Sequence, residues 1–149
     1  MEIDLSNEEY KSLIEMMYIA DWVMNAHKTE KDPSTEQYAQ LEQKIYSFAD
    51  QMGHPNLVQY DEKLGEYFPA KLLEEGPVMQ YVDDYDNDTF WDELVERLVE
   101  RDLLREVGEA KFRRMRVEER WTAEDPLREK YDIEFEENGL ENIEIRGSK

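Results

Sequence analysis

The chain has no cysteine. That absence removes disulfides, thiolate metal sites and cysteine nucleophiles, and it suits a reducing compartment. Histidine is nearly missing as well. His27 and His54 are the only two; they stand in different connectors, and neither begins a recognised zinc spacing. Long apolar runs are also lacking. The richest stretch, residues 13–26, is interrupted by Glu15 and Asp21 and is too short to span a bilayer. The opening MEIDLSNEEYK is acidic and lacks the apolar centre of an export signal. The expectation is a cytoplasmic protein with no membrane contact. No G-x-G-x-x-G, P-loop or G-x-S-x-G pattern occurs. No catalytic, cofactor-binding or metal-ligating residue is therefore assigned, and the reading leans away from an enzyme.

Basic residues are scarce and unevenly placed. Asp and Glu number 38 against 18 Lys and Arg, for a net charge of −20. Residues 1–90 hold 6 Lys and no Arg against 20 acids, whereas residues 91–120 hold 8 bases against 9 acids. A surface this acidic repels phosphate backbones and anionic lipid, which argues against direct nucleic-acid binding. Three matches for the charge remain: a basic protein partner, docking of the Arg-rich segment on the acidic first half, or a second copy of the chain. Arg97, Arg101 and Arg105 recur every four residues, and such a row calls for carboxylates opposite it.

At 149 residues the chain is expected to form one domain with a core of its own. The strongest periodicity lies in residues 81–107, read as an acidic loop through Asp84, Asp86 and Asp88 followed by a helix capped by Thr89. Trp91, Leu94, Val95, Leu98, Val99 and Leu103 share one broad face of that helix. Asp102 falls in the middle of this face, so it is expected to be paired, with Arg105 better placed than Arg101.

Other helices carry their own signals. Ser6 and Glu9 form a capping box at the first helix, with Leu5 and Tyr10 at the staple positions. Tyr10, Leu13, Ile14, Met17 and Met24 line one face of it, widened by Met16, Ile19, Trp22 and Val23. Asp32-Pro33 reads as the start of a second helix with Tyr38, Leu41, Ile45, Phe48 and Met52 as a bundle seam, closed by Gly53. Residues 54–76 are expected to be packed but irregular, with one short helix near residues 67–74. Pro77 should open a short helix with Val78, Tyr81, Val82 and Tyr85 inward. Asp125-Pro126 reads as the start of a last helix, with Leu127, Tyr131 and Phe135 in a row and Asn138-Gly139 as its stop.

The resulting expectation is an all-α or nearly all-α, compact single-domain bundle of five to seven helices. Ile3 and Leu5 with Ile143 and Ile145 suggest an additional two-stranded β-ribbon from the termini. Asp84, Asp86 and Asp88 have the first spacing of an EF-hand loop, but Thr89 and Val95 replace its glycine and its closing glutamate. The basic run Lys111-Phe112-Arg113-Arg114-Met115-Arg116 is flanked by Glu106, Glu109, Glu118 and Glu119, which favours pairing within the chain or a protein interface over nucleic acid. A non-enzymatic interaction module for a basic protein is the leading reading, with homodimerisation an added option. A ligand binder or small enzyme with an inter-helix pocket and a nucleic-acid mimic are the alternatives.

Overall fold

The computed structural model describes residues 3–30 and 32–144. It is mostly helical with one small antiparallel sheet. The elements run α1 (Asn7–Asn25), α2 (Glu36–Tyr46), β1 (Val58–Asp61), β2 (Glu66–Pro69), α3 (Lys71–Glu74), α4 (Met79–Val107), α5 (Glu109–Phe112) and α6 (Val117–Asn138). Contacts divide the chain into two compact units, residues 1–84 and 85–149.

In the first unit, α1 begins as its capping box requires. The Ser6 hydroxyl accepts from Glu9 N, and the Glu9 carboxylate accepts from Ser6 N at 2.8 Å. Tyr10, Ile14 and Tyr18 turn inward and meet Tyr46, Ala49, Leu57, Val58, Leu73 and Val78 in one hydrophobic cluster. The Tyr10 hydroxyl donates to Ile45 O at 2.6 Å, so a core aromatic keeps its polar end satisfied. The expected breadth of the α1 face is corrected: Met16, Trp22 and Val23 are exposed, and Tyr18 takes the inward place instead.

The second helix starts three residues later than Asp32-Pro33 suggested. Asp32 accepts from Ser34 N at 2.8 Å and holds a turn, after which α2 proper begins at Glu36. Its inward residue is Tyr46, whereas Tyr38, Leu41 and Phe48 of the expected seam lie exposed. Gly53 closes the following turns in the left-handed region, at φ +79°.

Residues 58–69 form a hairpin where irregular chain was expected. Asp61 accepts from Lys63 N and Leu64 N, and Gly65 at φ +69° donates back to Asp61 O at 2.8 Å, which closes the loop. Gln43 secures β2 from α2: its amide donates to Tyr67 O at 2.8 Å and accepts from Tyr67 N at 2.7 Å. The expected ribbon of the termini is corrected in its described part: residues 3–5 and 143–144 are not in strands. Ile145 lies outside the described residues.

α4 is a single 29-residue helix, so neither an acidic loop nor a helix start at Thr89 exists. The second unit has its own cluster of Val95, Val99 and Tyr131, with Leu98, Leu127 and Phe135 packed against it. Gly108 at φ +80° ends α4. α6 then starts at Val117 rather than at Asp125-Pro126 and passes through Pro126. Leu127, Tyr131 and Phe135 do form the inward row expected of them. Asn138-Gly139 ends the helix, with Gly139 at φ +56°.

Candidate functional site

The second unit is held by α4–α6 cross-links. Tyr131 packs on Val95 and Val99, and the Trp91 and Phe135 rings lie 5.5 Å apart. Above this apolar layer, Arg128 of α6 donates to Glu96 of α4 at 2.5 Å. Arg120 pairs with Glu124 at 2.5 Å and reaches Glu100 at 4.0 Å. Glu124 is the buried charged residue of the described chain, and Arg120 is what makes that burial tolerable.

Asp102 is paired, as its place on the apolar face demanded. Arg101, rather than Arg105, is the closer partner, at 2.8 Å against 3.4 Å. The Tyr131 hydroxyl donates to its second oxygen and in turn accepts from Arg101 at 3.0 Å. The Arg101 guanidinium, then the Tyr131 hydroxyl, hold the Asp102 carboxyl down at about 2 against the opposing pull of burial. A carboxylate so firmly ionised and so fully bonded is a cross-link and a poor proton carrier.

The arginines find their carboxylates close by. Arg97 pairs with Glu93 at 2.9 Å, Arg101 and Arg105 with Asp102, Arg113 with Glu109, and Arg116 with Glu119 at 2.7 Å. All of these acids lie at or beyond Glu93. The Arg97–Arg101–Arg105 row needs no acidic surface opposite, because α4 itself supplies its partners. Within the basic run from Lys111 to Arg116, the flanking Glu109 and Glu119 pair with Arg113 and Arg116, and Arg120 stacks over Phe112 at 4.4 Å.

Two further groups singled out from sequence separate in space. Asp84, Asp86 and Asp88 sit on a helix, which puts Asp86 on the far side from the other two, so they cannot converge as a loop would. Among the described residues, no three His, Asp or Glu side chains gather in a way that suits a metal. His54 is no free loop residue: its Nε2 lies 2.7 Å from Asn7 O, and its ring stacks on Tyr10. His27 is exposed.

The surface shows two features. In the first unit, a polar cleft of about 610 Å³ lies beside the end of α1, the following connector, α2 and β2. Its polar groups largely bond one another. Thr35 and Lys28 both donate to Asn25, Lys28 pairs with Asp32 at 2.9 Å, and Gln40 bonds Glu36.

The other feature lies on the outward side of α6. Glu118, Thr122, Asp125, Glu129, Asp132 and Glu136 recur every four then three residues, so they stack along one face. All are exposed, and none of the five carboxylates has an ion pair among the described residues. Beside them a shallow groove of about 590 Å³ has Pro126 and Ile133 as apolar floor and Arg128, which is turned to Glu96, on its border. This row could be found in the sequence only by letting one helix run across Pro126. Among the described residues, no helix is long and apolar enough to cross a membrane. Comparisons with protein-family models, curated proteins and solved structures find no match to the chain.

Proposed function

We propose that this chain is a cytosolic, non-enzymatic interaction protein that engages a basic protein segment along the outward face of α6. The observation that carries the reading is the row of Glu118, Asp125, Glu129, Asp132 and Glu136, none of which makes an ion pair among the described residues, Asp132 alone lying near enough to Arg128 to act on its charge. Asp125–Glu129 and Asp132–Glu136 are like-charge pairs one turn apart, each costing the helix about 0.2–0.5 kcal/mol. Elsewhere in the same unit Glu93, Glu96, Asp102, Glu109, Glu119 and Glu124 are matched by arginines. An array left unmatched beside so many matched acids suits an external cation. The apolar floor at Pro126 and Ile133 suits the aliphatic stems of Lys and Arg, whose charged heads would then reach the carboxylates.

Charge density favours a basic protein over mimicry of a duplex. The row advances one position per helical turn, about 5.4 Å. Duplex DNA carries one charge per about 1.7 Å of axis, roughly three times as dense and on two strands. The cleft of the first unit is a weaker candidate for a ligand site, because its donors and acceptors are already engaged with each other.

The test is titration of a Lys/Arg-rich peptide onto the protein, comparing the wild type with a variant carrying Glu118→Gln, Asp125→Asn, Glu129→Gln, Asp132→Asn and Glu136→Gln. A charge-matched variant with Glu30→Gln, Glu36→Gln, Glu62→Gln, Glu74→Gln and Glu75→Gln serves as control. Loss of about tenfold or more in affinity for the α6 variant alone supports the reading. Equal loss in both variants reduces the effect to net charge and refutes a site on α6.

A further inference from the structure

α4 is anchored at two places. Val82 is buried near its start, and Val95, Val99 and Leu103 are buried further along it. Between Val82 and Val95 no residue is buried, and Asp83 to Asp88 are exposed without a break. A run of that length covers more than one and a half turns, so every side of the helix meets water there. A helical stretch that buries nothing needs side-chain pairs to hold it. Here Asp84 accepts from Gln80 at 2.9 Å, and Asn87 donates to Asp88 at 3.4 Å. No ion pair reaches Asp83, Asp84, Asp86 or Asp88 among the described residues.

The local chemistry runs against the helix. Asp and Asn are weak helix formers whose side chains compete for the backbone. Asp84, Asp88 and Asp92 stand four apart, so each step along that row sets like charges one turn apart. The helix dipole, which favours acids in the first turn, has faded by Asp84 because α4 begins at Met79. A competing start lies immediately beyond. Thr89 is a residue type suited to an N-cap, and Asp92 and Glu93 would then fall in a first turn where acids are favoured. The inward face of Trp91, Val95 and Val99 runs on unchanged from that point.

We propose that α4 is a two-state element in which the turns from Asp83 to Asp88 unwind and the helix restarts at Thr89. Unwinding gives up no buried side chain: Val82 keeps its place before the break, and Trp91 keeps its contact with Phe135 after it. The boundary between the chain's two compact units, residues 1–84 and 85–149, falls inside this stretch, so each unit keeps its own cluster in both states. The open state loses the intrahelical hydrogen bonds of about two turns. It gains chain entropy, relief of like charge and the Thr89 cap. Charge sets the balance. Screening or neutralising the aspartates favours the continuous helix, and low salt favours the break.

Amide hydrogen exchange of the intact protein, read by NMR at low and high salt, tests this. At low salt, protection of the amides of residues 84–91 is expected to lie at least about a hundredfold below that of residues 97–103, and to rise as salt is added. Asp88→Lys turns both like-charge steps of the row into opposite-charge ones and is expected to raise protection of the segment about fivefold or more. Thr89→Ala removes the competing cap and puts a stronger helix former in its place, with an expected rise of about threefold or more. In both variants residues 97–103 are expected to stay within about twofold of the wild type. Equal protection from residue 84 to residue 103 overturns the proposal, and so does opening that salt and Asp88→Lys leave unchanged. A Thr89→Ala variant that opens more readily than the wild type also overturns it, because Thr89 would then be holding the continuous helix.

Discussion

Glu42→Gln should convert a pH-dependent first unit into a nearly pH-independent one across neutrality. Glu42 lies on α2 one turn before Tyr46, partly withdrawn from water. Burial pushes its carboxyl up to about 7, and Asp21 across on α1 adds to the rise. Tyr46 opposes the rise more than Asp21 adds to it: its hydroxyl is near enough to favour the anion, though it has no hydrogen-bond partner within bonding distance. The folded protein therefore holds a proton that the unfolded chain, at the ordinary 4.5, releases. Between these values the folded state binds more protons, so stability is full below about 4.5 and falls as pH rises toward about 7. At about 1.4 kcal/mol per pH unit the gap is worth at most about 3 kcal/mol. Residual contact with solvent trims this to about 1–2 kcal/mol. Urea unfolding of wild type and Glu42→Gln, followed by circular dichroism between about pH 5 and pH 8, measures it. Every other titrating group is common to both proteins, so the difference between the two profiles isolates Glu42. The variant should gain about 1–2 kcal/mol on the wild type from the acid to the alkaline end. Parallel profiles would mean that the carboxylate is hydrated, and the argument from burial would fail.

Three further outcomes follow from the second unit. Tyr131→Phe removes the hydroxyl that donates to Asp102 and should cost about 1–2 kcal/mol in denaturant unfolding. Because the Asp102 carboxyl is depressed to about 2, the stability it supplies is complete above about pH 4 and is lost as pH falls through about 2; that acid-side loss should shrink in the Phe variant. Pro126→Ala restores an N–H inside α6 at an exposed position and should raise stability by roughly 1–3 kcal/mol, read as an increase in Tm. Leu98→Ala should cost about 2–3 kcal/mol because Leu98 packs on the second cluster, whereas Leu94→Ala, at the surface groove beside Phe90, should cost about 1 kcal/mol or less; equal losses would place both in the core.

Local chemistry was legible where a signal had one reading. The Ser6–Glu9 box, the Gly139 stop and the inward row of Leu127, Tyr131 and Phe135 stand where the spacing put them, whereas α2 ends at Tyr46, well before the expected stop at Gly53. Two departures share a cause: a start signal was outweighed by packing. Thr89 looks like a cap, but Val78 and Val82 are buried one turn apart and Gln80 bonds Asp84 at 2.9 Å, so the chain is helical well before it reaches Thr89. Asp125-Pro126 resembles a helix entry. The Arg116–Glu119 contact and the Arg120–Glu124 pair have already built two turns by then, and the proline falls at an exposed position where water can take up the carbonyl it leaves unbonded. The hairpin escaped notice because the loop between its strands signals through Asp61 and Gly65 rather than through an Asn-Gly pair.

The surfaces were harder to read than the helices, for a physical reason. Periodicity tells which residues share a helix face, but it does not tell what covers that face. The α2 seam looked like core by spacing, yet its outer edge is exposed; the α6 carboxylates looked like diffuse acidity until one helix joined residues 118 and 136. The α6 reading carries its own demand on salt: a basic segment held by charge attraction binds more weakly as salt rises, and an affinity that salt leaves unchanged would refute it.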